Sequence, residues 1–315
     1  MNQAPPTPKG FRDIDPDLAK KRKETIGKIV PILEEFGFVP LETPTVEFAS
    51  TLTGKYGEEE RLIYKFTDRG DRELALRYDL TVPLARYVAA NPSLKMPFRR
   101  YQIGQVFRGE NPQAGRFREF TQFDFDTVGN EDLEEDAKII AATINSAKSI
   151  GLSSAKMLIN DRVNFKDMPQ EVIRAFDKLV KIGMLGIEEE LTGKGFDKDQ
   201  ITSFSNQITS AKPTKSIESI FTILKEKYNL PETDYQFDPS LARGLDYYTS
   251  SIFELKPNND PTALSIGAGG RYDKLIGIFA GKQIPAVGFS FGLDRLVELV
   301  DHKFWIAWSL TLPLF

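Results

Sequence analysis

The sequence predicts an α+β fold, in which an antiparallel sheet is flanked by helices and carries a mostly helical insertion. Two stretches, "RRYQIGQVFRGE" and "RFREFTQFDFDTVG", alternate apolar and polar residues around a Pro/Gly turn, which indicates two long antiparallel strands. Strand patterns return in "LARGLDYYTSSIFEL", "ALSIGAGGRYD" and "AVGFSFG". Helical patterns are grouped around these strands, and that grouping is typical of α+β proteins.

Changes in composition predict the domain boundaries. We expect a main domain formed by residues 1–150 and 236–300, a helical insertion at 151–235 and an atypical hydrophobic tail at 301–315. The insertion is rich in Lys, Glu, Ser and Ile at helical spacing. The tail, "DHKFWIAWSLTLPLF", holds both tryptophans and almost no charge. Two interpretations fit the tail: a packed terminal strand or helix, and a truncated or frame-shifted end.

The first element is a long amphipathic helix. Asp15 is its expected N-cap, Pro16 occupies the first helical position, and Gly37 is a plausible stop. An extended stretch, "GFVPLETPTVEFAS", follows the helix. Its prolines, Pro40 and Pro44, predict an edge or interface position because proline cannot donate to a central strand.

The next elements are a strand that turns into a helix and, after the two long strands, a second helix. "ELALRYDLTVPLARYVAANP" predicts the strand-to-helix change at its Asp-Leu-Thr step and the helix end at Asn91-Pro92. "EDLEEDAKIIAATINSAKSIG" predicts a helix whose acidic first turn suits the N-terminal dipole. A last helix, "LDRLVELV", follows the strand "AVGFSFG".

Composition excludes several kinds of chemistry. The 315-residue chain has a formal net charge of -4, no cysteine and a single histidine, His302. Disulfides, thiolate metal sites, a Ser-His-Asp triad and multi-histidine metal sites are therefore excluded. The N-terminus lacks a signal-peptide core, and no apolar run reaches the roughly 18 residues of a membrane span. We therefore predict a cytoplasmic protein with no membrane association. No P-loop or dinucleotide-binding fingerprint is present.

The stretch "FRGENPQAGRFREFTQFDFD" is the strongest functional signal. Alternate strand residues share a face, so Phe120, Gln122, Asp124 and Asp126 point one way while the intervening phenylalanines point the other. Arginine, aromatic and carboxylate groups on one face suit a charged planar ligand. The alternative is a solvated sheet face whose charges pair across strands.

This stretch resembles motif 2 of class II aminoacyl-tRNA synthetases. "GFVPLETP" is similar to motif 1 and "AVGFSFGLDRLV" to motif 3, while "LARGLDYYTSSIFEL" and "GAGGRYDKLIG" resemble signatures of histidyl-tRNA synthetase. Together with "LRYDLTVPLARY", these stretches run in the family's order from about residue 8 to residue 300. The Asp-Leu-Thr step and the "DFD" ending resemble the archaeal and eukaryotic branch of that family.

The resemblance implies ATP-dependent activation of L-histidine to histidyl-adenylate, followed by transfer to tRNA(His). It also implies ATP with Mg²⁺ and a homodimer formed through motif 1, and we predict no metal ligand among the protein side chains. The implied catalytic residues are Arg108 and Arg243. The implied histidine-binding residues are Asp79, Leu80, Thr81, Gln122, Asp126, Arg243, Tyr247 and Tyr248, with Gly267, Gly269 and Gly270 leaving room for the substrate. The implied ATP-binding residues are Arg108, Glu110, Arg116, Phe120 and Arg295.

One alternative within the same superfamily is the regulatory subunit of ATP phosphoribosyltransferase, which binds histidine and a catalytic partner but does not aminoacylate. Synthetases of this family continue after motif 3 into an anticodon-binding domain of about 100 residues, whereas this sequence ends soon after "LVELV". Such regulatory paralogues usually lose the ATP-contacting residues. Because the four charged ATP-binding residues and the catalytic Arg243 are all present, we expect a synthetase catalytic core.

Overall fold

A computed structural model describes residues 5–112, 116–243, 247–258 and 263–300. The predicted tail at 301–315 lies outside the described residues. The strands are β1 Val39–Pro40, β2 Val46–Phe48, β3 Lys65–Thr67, β4 Glu73–Leu76, β5 Phe98–Phe107, β6 Glu119–Val128, β7 Lys156–Asp161, β8 Tyr235–Phe237, β9 Ser251–Lys256, β10 Gly267–Arg271 and β11 Ala286–Gly292.

The α-helices lie before, between and after these strands. They are α1 Pro16–Glu35, α2 Ala49–Leu52, α3 Thr81–Ala90, α4 Leu133–Ser149, α5 Gln170–Phe176, α6 Leu179–Gly193, α7 Lys198–Thr209, α8 Lys215–Glu226, α9 Leu275–Ala280 and α10 Leu293–Leu299. Two 3-10 helices add Gly57–Leu62 and Arg162–Phe165.

Eight strands form one sheet in the order β1-β5-β6-β11-β10-β9-β7-β8. The pairs between β5 and β7 are antiparallel, and the two edge strands, β1 and β8, are parallel to their neighbours. The predicted hairpin is confirmed as β5 and β6, ten residues each, with Phe107 opposite Glu119. The predicted α+β class is confirmed, and Pro40 lies in an edge strand as expected.

The local signals in the first helix are confirmed. The Asp15 side chain accepts a hydrogen bond from the Leu18 N–H at 2.9 Å, Pro16 opens α1, and Gly37 follows the helix with a φ of 85°. The strand-to-helix change also occurs where it was predicted, because α3 begins at Thr81. These short-range patterns act through neighbouring backbone groups and therefore survive in the folded chain.

The main hydrophobic core covers one face of the large sheet. Helices α1, α4 and α8 contribute Ile29, Ile140 and Ile220, which pack with Phe123 and Phe125 of β6. All five side chains are fully buried. A second core, beside a small sheet with the order β2-β4-β3, joins α3 and α9. Because helices cover one face of the large sheet, a ligand-binding site can form only on the opposite face.

The region predicted as a helical insertion is divided between two cores. Strands β7 and β8 pair within the large sheet, and α8 packs on α4 in the main core. Helices α5, α6 and α7 instead build a third core around Phe176, Ile187 and Ile201. We therefore propose that the insertion proper is residues 162–214, which is narrower than the 151–235 expected from composition.

Candidate active site

A cavity of about 690 Å³ lies on the sheet face opposite the main core. Phe120, Gln122, Asp124 and Asp126 of β6 line it, while the intervening phenylalanines are in the core, so the predicted division of β6 into two faces is confirmed. The sequence-predicted site residues that line the cavity are Asp79, Thr81, Arg108, Arg116, Phe120, Gln122, Asp126, Arg243, Tyr247, Tyr248, Gly267, Gly269 and Arg295.

Three predicted site residues take other positions. Leu80 is fully buried, does not line this cavity and uses its carbonyl to accept from Nη2 of Arg100 at 3.1 Å. Glu110 does not line the cavity either; its Oε2 forms an ion pair with Nη1 of Arg116 at 2.8 Å. Gly270 lies behind Tyr248, and a Cβ there would meet the tyrosine ring.

Arg108 follows β5 and is held between two aromatic rings. Its guanidinium carbon is 4.4 Å from the centroid of Tyr78 and 5.0 Å from that of Phe120, and its Nε donates to the Tyr78 carbonyl at 3.2 Å. Cation–π contact on both sides fixes the plane of the guanidinium. Arg108 therefore points a pre-oriented positive charge into the cavity.

A second group of arginines lies at the end of the cavity formed by the β5–β6 turn and α10. Nη1 of Arg295 donates to the Ser265 carbonyl at 3.1 Å. Burial, followed by the nearby charge of Arg116, lowers the pKa of Arg295. Two guanidiniums that repel each other form a ready site for an anion with several charges, such as a polyphosphate.

The start of α10 is fixed by a set of ion pairs around Asp294. Its carboxylate accepts from Arg12 and Arg22, each at 2.7 Å, and from the Thr121 backbone N–H at 3.0 Å. These contacts tie the N-terminal segment, α1 and β6 to α10. The neighbouring Arg295 is thereby held at a defined place beside the cavity.

Arg243 lies on the other side of the cavity. Its Nη1 pairs with Glu254 of β9 at 3.2 Å, and Glu254 also forms an ion pair with Lys256 at 2.9 Å. Burial lowers the pKa of Arg243, but the nearby acidic groups, Asp177 first and then Tyr248 and Glu254, outweigh that effect and leave the pKa above its ordinary value. Its buried Nε has no hydrogen-bond partner within the described parts of the chain. Arg243 therefore keeps a donor for a ligand.

Asp79 is a buried carboxylate at the N-terminus of α3. Its Oδ1 accepts from the backbone N–H groups of Thr81 and Val82, at 3.1 Å and 3.0 Å, and from the Tyr56 hydroxyl at 3.0 Å. Burial raises the pKa of Asp79, and these hydrogen bonds together with Arg108 oppose that rise. A carboxylate in this setting is suited to bind an ammonium group.

Two further carboxylates, Asp124 and Asp126, lie side by side on β6. Asp126 accepts a very short hydrogen bond from the Tyr272 hydroxyl, and Nη2 of Arg100 approaches its Oδ2 at 2.7 Å, at an angle too oblique for a hydrogen bond. Burial raises the pKa of both carboxyls, that of Asp124 to about 7, and the charge of Arg100 opposes the rise in each case. A Cβ on the facing Gly288 would collide with Asp126.

Tyr247, Tyr248 and Gln122 complete the inner part of the cavity. The tyrosine rings are 4.9 Å apart, and burial raises the pKa of Tyr248 to about 12, so its hydroxyl stays protonated at neutral pH. Nε2 of Gln122 donates to the Ser290 hydroxyl at 3.0 Å, and its buried Oε1 has no partner in the described residues. The inner wall thus offers both a hydroxyl donor and amide and carboxylate acceptors.

Sequence reasoning missed several residues that shape this site. Arg100 and Tyr272 hold Asp126, Tyr56 holds Asp79, and Ser290 holds Gln122. The sequence did contain a signal for Arg100. It is an arginine in the strand that precedes β6, and a buried carboxylate on β6 requires a positive charge nearby. Gly269 was predicted to leave room for a substrate, but a Cβ there would collide with the β11 backbone.

In residues 5–112, 116–243, 247–258 and 263–300, no group of three or more His, Cys, Asp or Glu side chains could hold a metal ion. Over the same part of the chain, no helix combines the length and apolar character needed to cross a membrane.

Comparison with known proteins identifies the family. A family profile described as "Histidyl-tRNA synthetase" matches residues 10–178 and 183–296. The chain belongs to the histidyl-tRNA synthetase family. A protein named histidine--tRNA ligase from Aeropyrum pernix is 42% identical over 322 residues, which cover 93% of this chain and 74% of that relative.

Solved structures agree with the histidyl-tRNA synthetase assignment. The crystal structure of histidyl-tRNA synthetase from Nostoc sp. PCC 7120 aligns with a TM-score of 0.78 at 28% identity, covering 96% of this chain and 75% of that one. A Bacillus halodurans structure described as an ATP phosphoribosyltransferase regulatory subunit/histidyl-tRNA synthetase also aligns with a TM-score of 0.78, at 24% identity, covering 98% and 90%. That second likeness shows the fold alone. The comparisons thus favour the synthetase over the regulatory subunit.

Proposed function

We propose that this protein activates L-histidine with ATP to form histidyl-adenylate and then transfers the histidyl group to tRNA(His). One observation carries the proposal: arginines stand on both sides of a cavity whose inner end is lined by carboxylates. Arg108 follows β5, whereas Arg243 is bound to β9, four strands away in the sheet order. Adjacent strands are about 4.8 Å apart, so the two guanidiniums leave room for a substrate between them.

The chemistry requires placement of charge and no general base. The carboxylate of histidine is ionised at neutral pH and attacks the α-phosphorus of ATP directly, while pyrophosphate leaves with the electron pair of the broken P–O bond. Fixed positive groups stabilise the charge that spreads over the phosphate oxygens in the transition state. ATP enters as its Mg²⁺ complex in this proposal, with the metal carried by the phosphates.

Each end of the cavity suits one part of the two substrates. We assign the α-phosphate to Arg108 and Arg243, the outer phosphates to Arg116 and Arg295, and stacking of adenine to Phe120. For the adenine amino group, Glu110 would have to exchange its bond with Arg116 for one with the ligand. The amino group of histidine is assigned to Asp79, Thr81 and Gln122, and its ring to the end formed by Asp126, Tyr247 and Tyr248.

The insertion supports a role for tRNA. Arg174, Lys178 and Lys194 line the cavity from the insertion side. Glu190 lies between the two lysines, 2.8 Å from Lys178 and 2.9 Å from Lys194, so this group keeps net positive charge. The resemblance implies that an insertion here contacts the acceptor arm, and positive charge beside the cavity suits a phosphate backbone. A tRNA-charging role also agrees with the predicted cytoplasmic location.

Histidine-dependent exchange of labelled pyrophosphate into ATP tests the activation step. We expect exchange with L-histidine and not with other amino acids, because the inner wall presents polar groups that only an imidazole ring satisfies. Attachment of labelled histidine to tRNA(His) then tests the transfer step. Histidine binding without any exchange would instead support the regulatory-subunit alternative.

Exposed apolar residues on motif 1 and the small sheet support the proposed homodimer. Val39, Phe48 and Phe66 are 49%, 55% and 43% exposed, and β1 is an edge strand of the large sheet. We expect sedimentation to give twice the 35.5 kDa mass of the chain. Phe48→Glu should reduce the mass to that of one chain, because a charge would be buried in the interface. Leu185→Glu, at a 76% exposed position in the insertion, is the matched control. A wild-type protein of single-chain mass would contradict the proposal.

A further inference from the structure

The backbone that carries Arg243 is held by side chains from the end of β7. Nδ2 of Asn160, a fully buried residue, donates to two carbonyls of residues 239–243, each at 3.1 Å. Nη1 of Arg162 donates to the carbonyl of Arg243 itself at 3.0 Å. Residues 239–243, which we call the Arg243 segment, are therefore fixed by the point at which the chain leaves β7.

Arg162 connects the Arg243 segment to two other elements. It is the first residue of the proposed insertion proper and opens the 3-10 helix Arg162–Phe165. Its Nη2 donates to Oε1 of Gln170, at the start of α5, at 3.3 Å. Its backbone N–H donates to the Ser250 carbonyl, just before β9, at 2.9 Å. Arg162 thus joins the sheet, the insertion and the Arg243 segment at one point.

The insertion also contacts the Arg243 segment by packing and influences Arg243 by charge. Leu241 and Ala242 of the segment are 7% and 3% exposed and belong to the third core, which also contains Phe176 of α5. Burial lowers the pKa of Arg243, and Asp177, the C-cap residue of α5, is the first of the charges that raise it. The position of Arg243 is therefore tied to the insertion as well as to the large sheet.

We propose that Arg162 is a positioning residue for the activation of histidine, because it holds the backbone of Arg243 in place. The inference rests on the proposed function, in which Arg243 contacts the α-phosphate of ATP. Glu254 of β9 fixes one end of the Arg243 side chain at 3.2 Å, and Arg162 fixes the backbone from which that side chain extends. A displacement of about 1 Å at a reacting group can cost about 10²-fold in rate. Arg162 thus supports the reaction although it does not line the cavity.

Steady-state pyrophosphate exchange by Arg162→Ala tests the inference. We expect kcat to fall about 10- to 100-fold, because the guanidinium of Arg243 is then no longer held at the α-phosphate. KM for histidine and for ATP should change less than about threefold, since the lost interaction acts mainly in the transition state. Arg162→Lys keeps a charged donor for the carbonyl and should recover part of the rate. Lys166→Ala, at an exposed position that caps the same 3-10 helix, is the matched control and should keep the wild-type rate.

A double variant separates positioning of Arg243 from a general effect on folding. Arg162→Ala combined with Arg243→Ala should exchange pyrophosphate at the rate of Arg243→Ala alone, within about threefold, because Arg162 acts only through Arg243. A decrease by the same factor in both backgrounds would overturn the inference, as would a wild-type kcat in folded Arg162→Ala. Circular dichroism checks folding. If the alanine variant does not fold, Arg162→Gln takes its place, since its amide lies too near the backbone to replace the guanidinium at the Arg243 carbonyl.

Amide hydrogen exchange measures the hold on the backbone without any catalysis. In Arg162→Ala, the Arg243 segment should exchange its amide hydrogens faster than in the wild type, whereas β11 should not change. Unchanged protection of the segment would overturn the inference even if the protein activates histidine. Absence of histidine-dependent pyrophosphate exchange in the wild type would contradict the proposed function itself. Normal pyrophosphate exchange in the wild type, with an unchanged kcat in Arg162→Ala, would contradict only the role of Arg162.

Discussion

Arg243→Ala is expected to lower the rate of histidine-dependent pyrophosphate exchange by about 10²- to 10³-fold, which corresponds to about 3–4 kcal/mol of transition-state stabilisation. The Arg243 side chain lines the cavity with 22% of its surface exposed, and its buried Nε has no hydrogen-bond partner among the described residues. In the proposed reaction it faces the α-phosphate, where negative charge develops. Because this contact strengthens as the transition state forms, kcat should fall more than KM rises.

The surroundings of Arg243 allow this variant to fold. Glu254, its partner at 3.2 Å, retains the ammonium of Lys256 at 2.9 Å after truncation, so no isolated charge is left behind. Arg72→Ala is the matched control, because Arg72 is 65% exposed on its side chain in the β3–β4 turn, where it pairs with Asp68. Single-turnover and steady-state exchange kinetics, with circular dichroism as the fold check, measure the effect. A decrease of less than about tenfold in the exchange rate would show that Arg243 does not stabilise the transition state.

Arg243→Lys separates charge from geometry. Lysine keeps a positive charge but lacks the planar fork that contacts a phosphate oxygen and Glu254 together. Activity should therefore recover only in part. Full recovery would mean that a point charge is sufficient and that the direction of the Nε donor is irrelevant.

The parts of the fold that depend on short-range signals could be predicted from the sequence. The cap at Asp15, the helix start at Thr81 and the alternation along β6 each involve residues a few positions apart. The strand β4 was predicted and β2 lies in the predicted extended stretch, but their pairing with β3 into a small sheet was not predicted, because strands of three or four residues carry little periodicity. Strand β7 was likewise assigned to the insertion, because its place in the large sheet depends on pairing with the distant strand β9.

In the site, too, local sequence patterns were predictive, whereas contacts between distant residues were not. The alternation of residues along β6 correctly predicted that Phe120, Gln122, Asp124 and Asp126 share one face of the sheet. It could not show that Arg100 stands opposite Asp126, because strand register depends on the length and shape of the turn that joins β5 and β6. Without that pairing, the sequence could not show that Asp126 has a buried arginine as its counter-charge.

Arg100→Met should lower the free energy of unfolding by about 3–5 kcal/mol, the usual cost of breaking a buried ion pair from one side. Arg100 has no exposed surface, and its charge opposes the burial-driven rise in the pKa of both Asp124 and Asp126. Methionine has a similar length but supplies no charge. The two neighbouring carboxyls would then lose the charge of Arg100, so both would resist ionisation more strongly. Urea unfolding monitored by fluorescence measures the loss.

A double-mutant cycle of Arg100→Met with Asp126→Asn measures how much of the lost stability comes from the interaction between Arg100 and Asp126. Asp126→Asn alone should also destabilise, since it leaves the Arg100 guanidinium buried with only the Leu80 carbonyl at 3.1 Å as a hydrogen-bond acceptor in the described structure. The double variant should be less destabilised than the sum of the two single variants, because neither charge is then left alone. Strict additivity would show that the ion pair at 2.7 Å contributes no coupling and that Arg100 acts only by packing. A coupled result would show that the charges of Arg100 and Asp126 stabilise the fold as a pair.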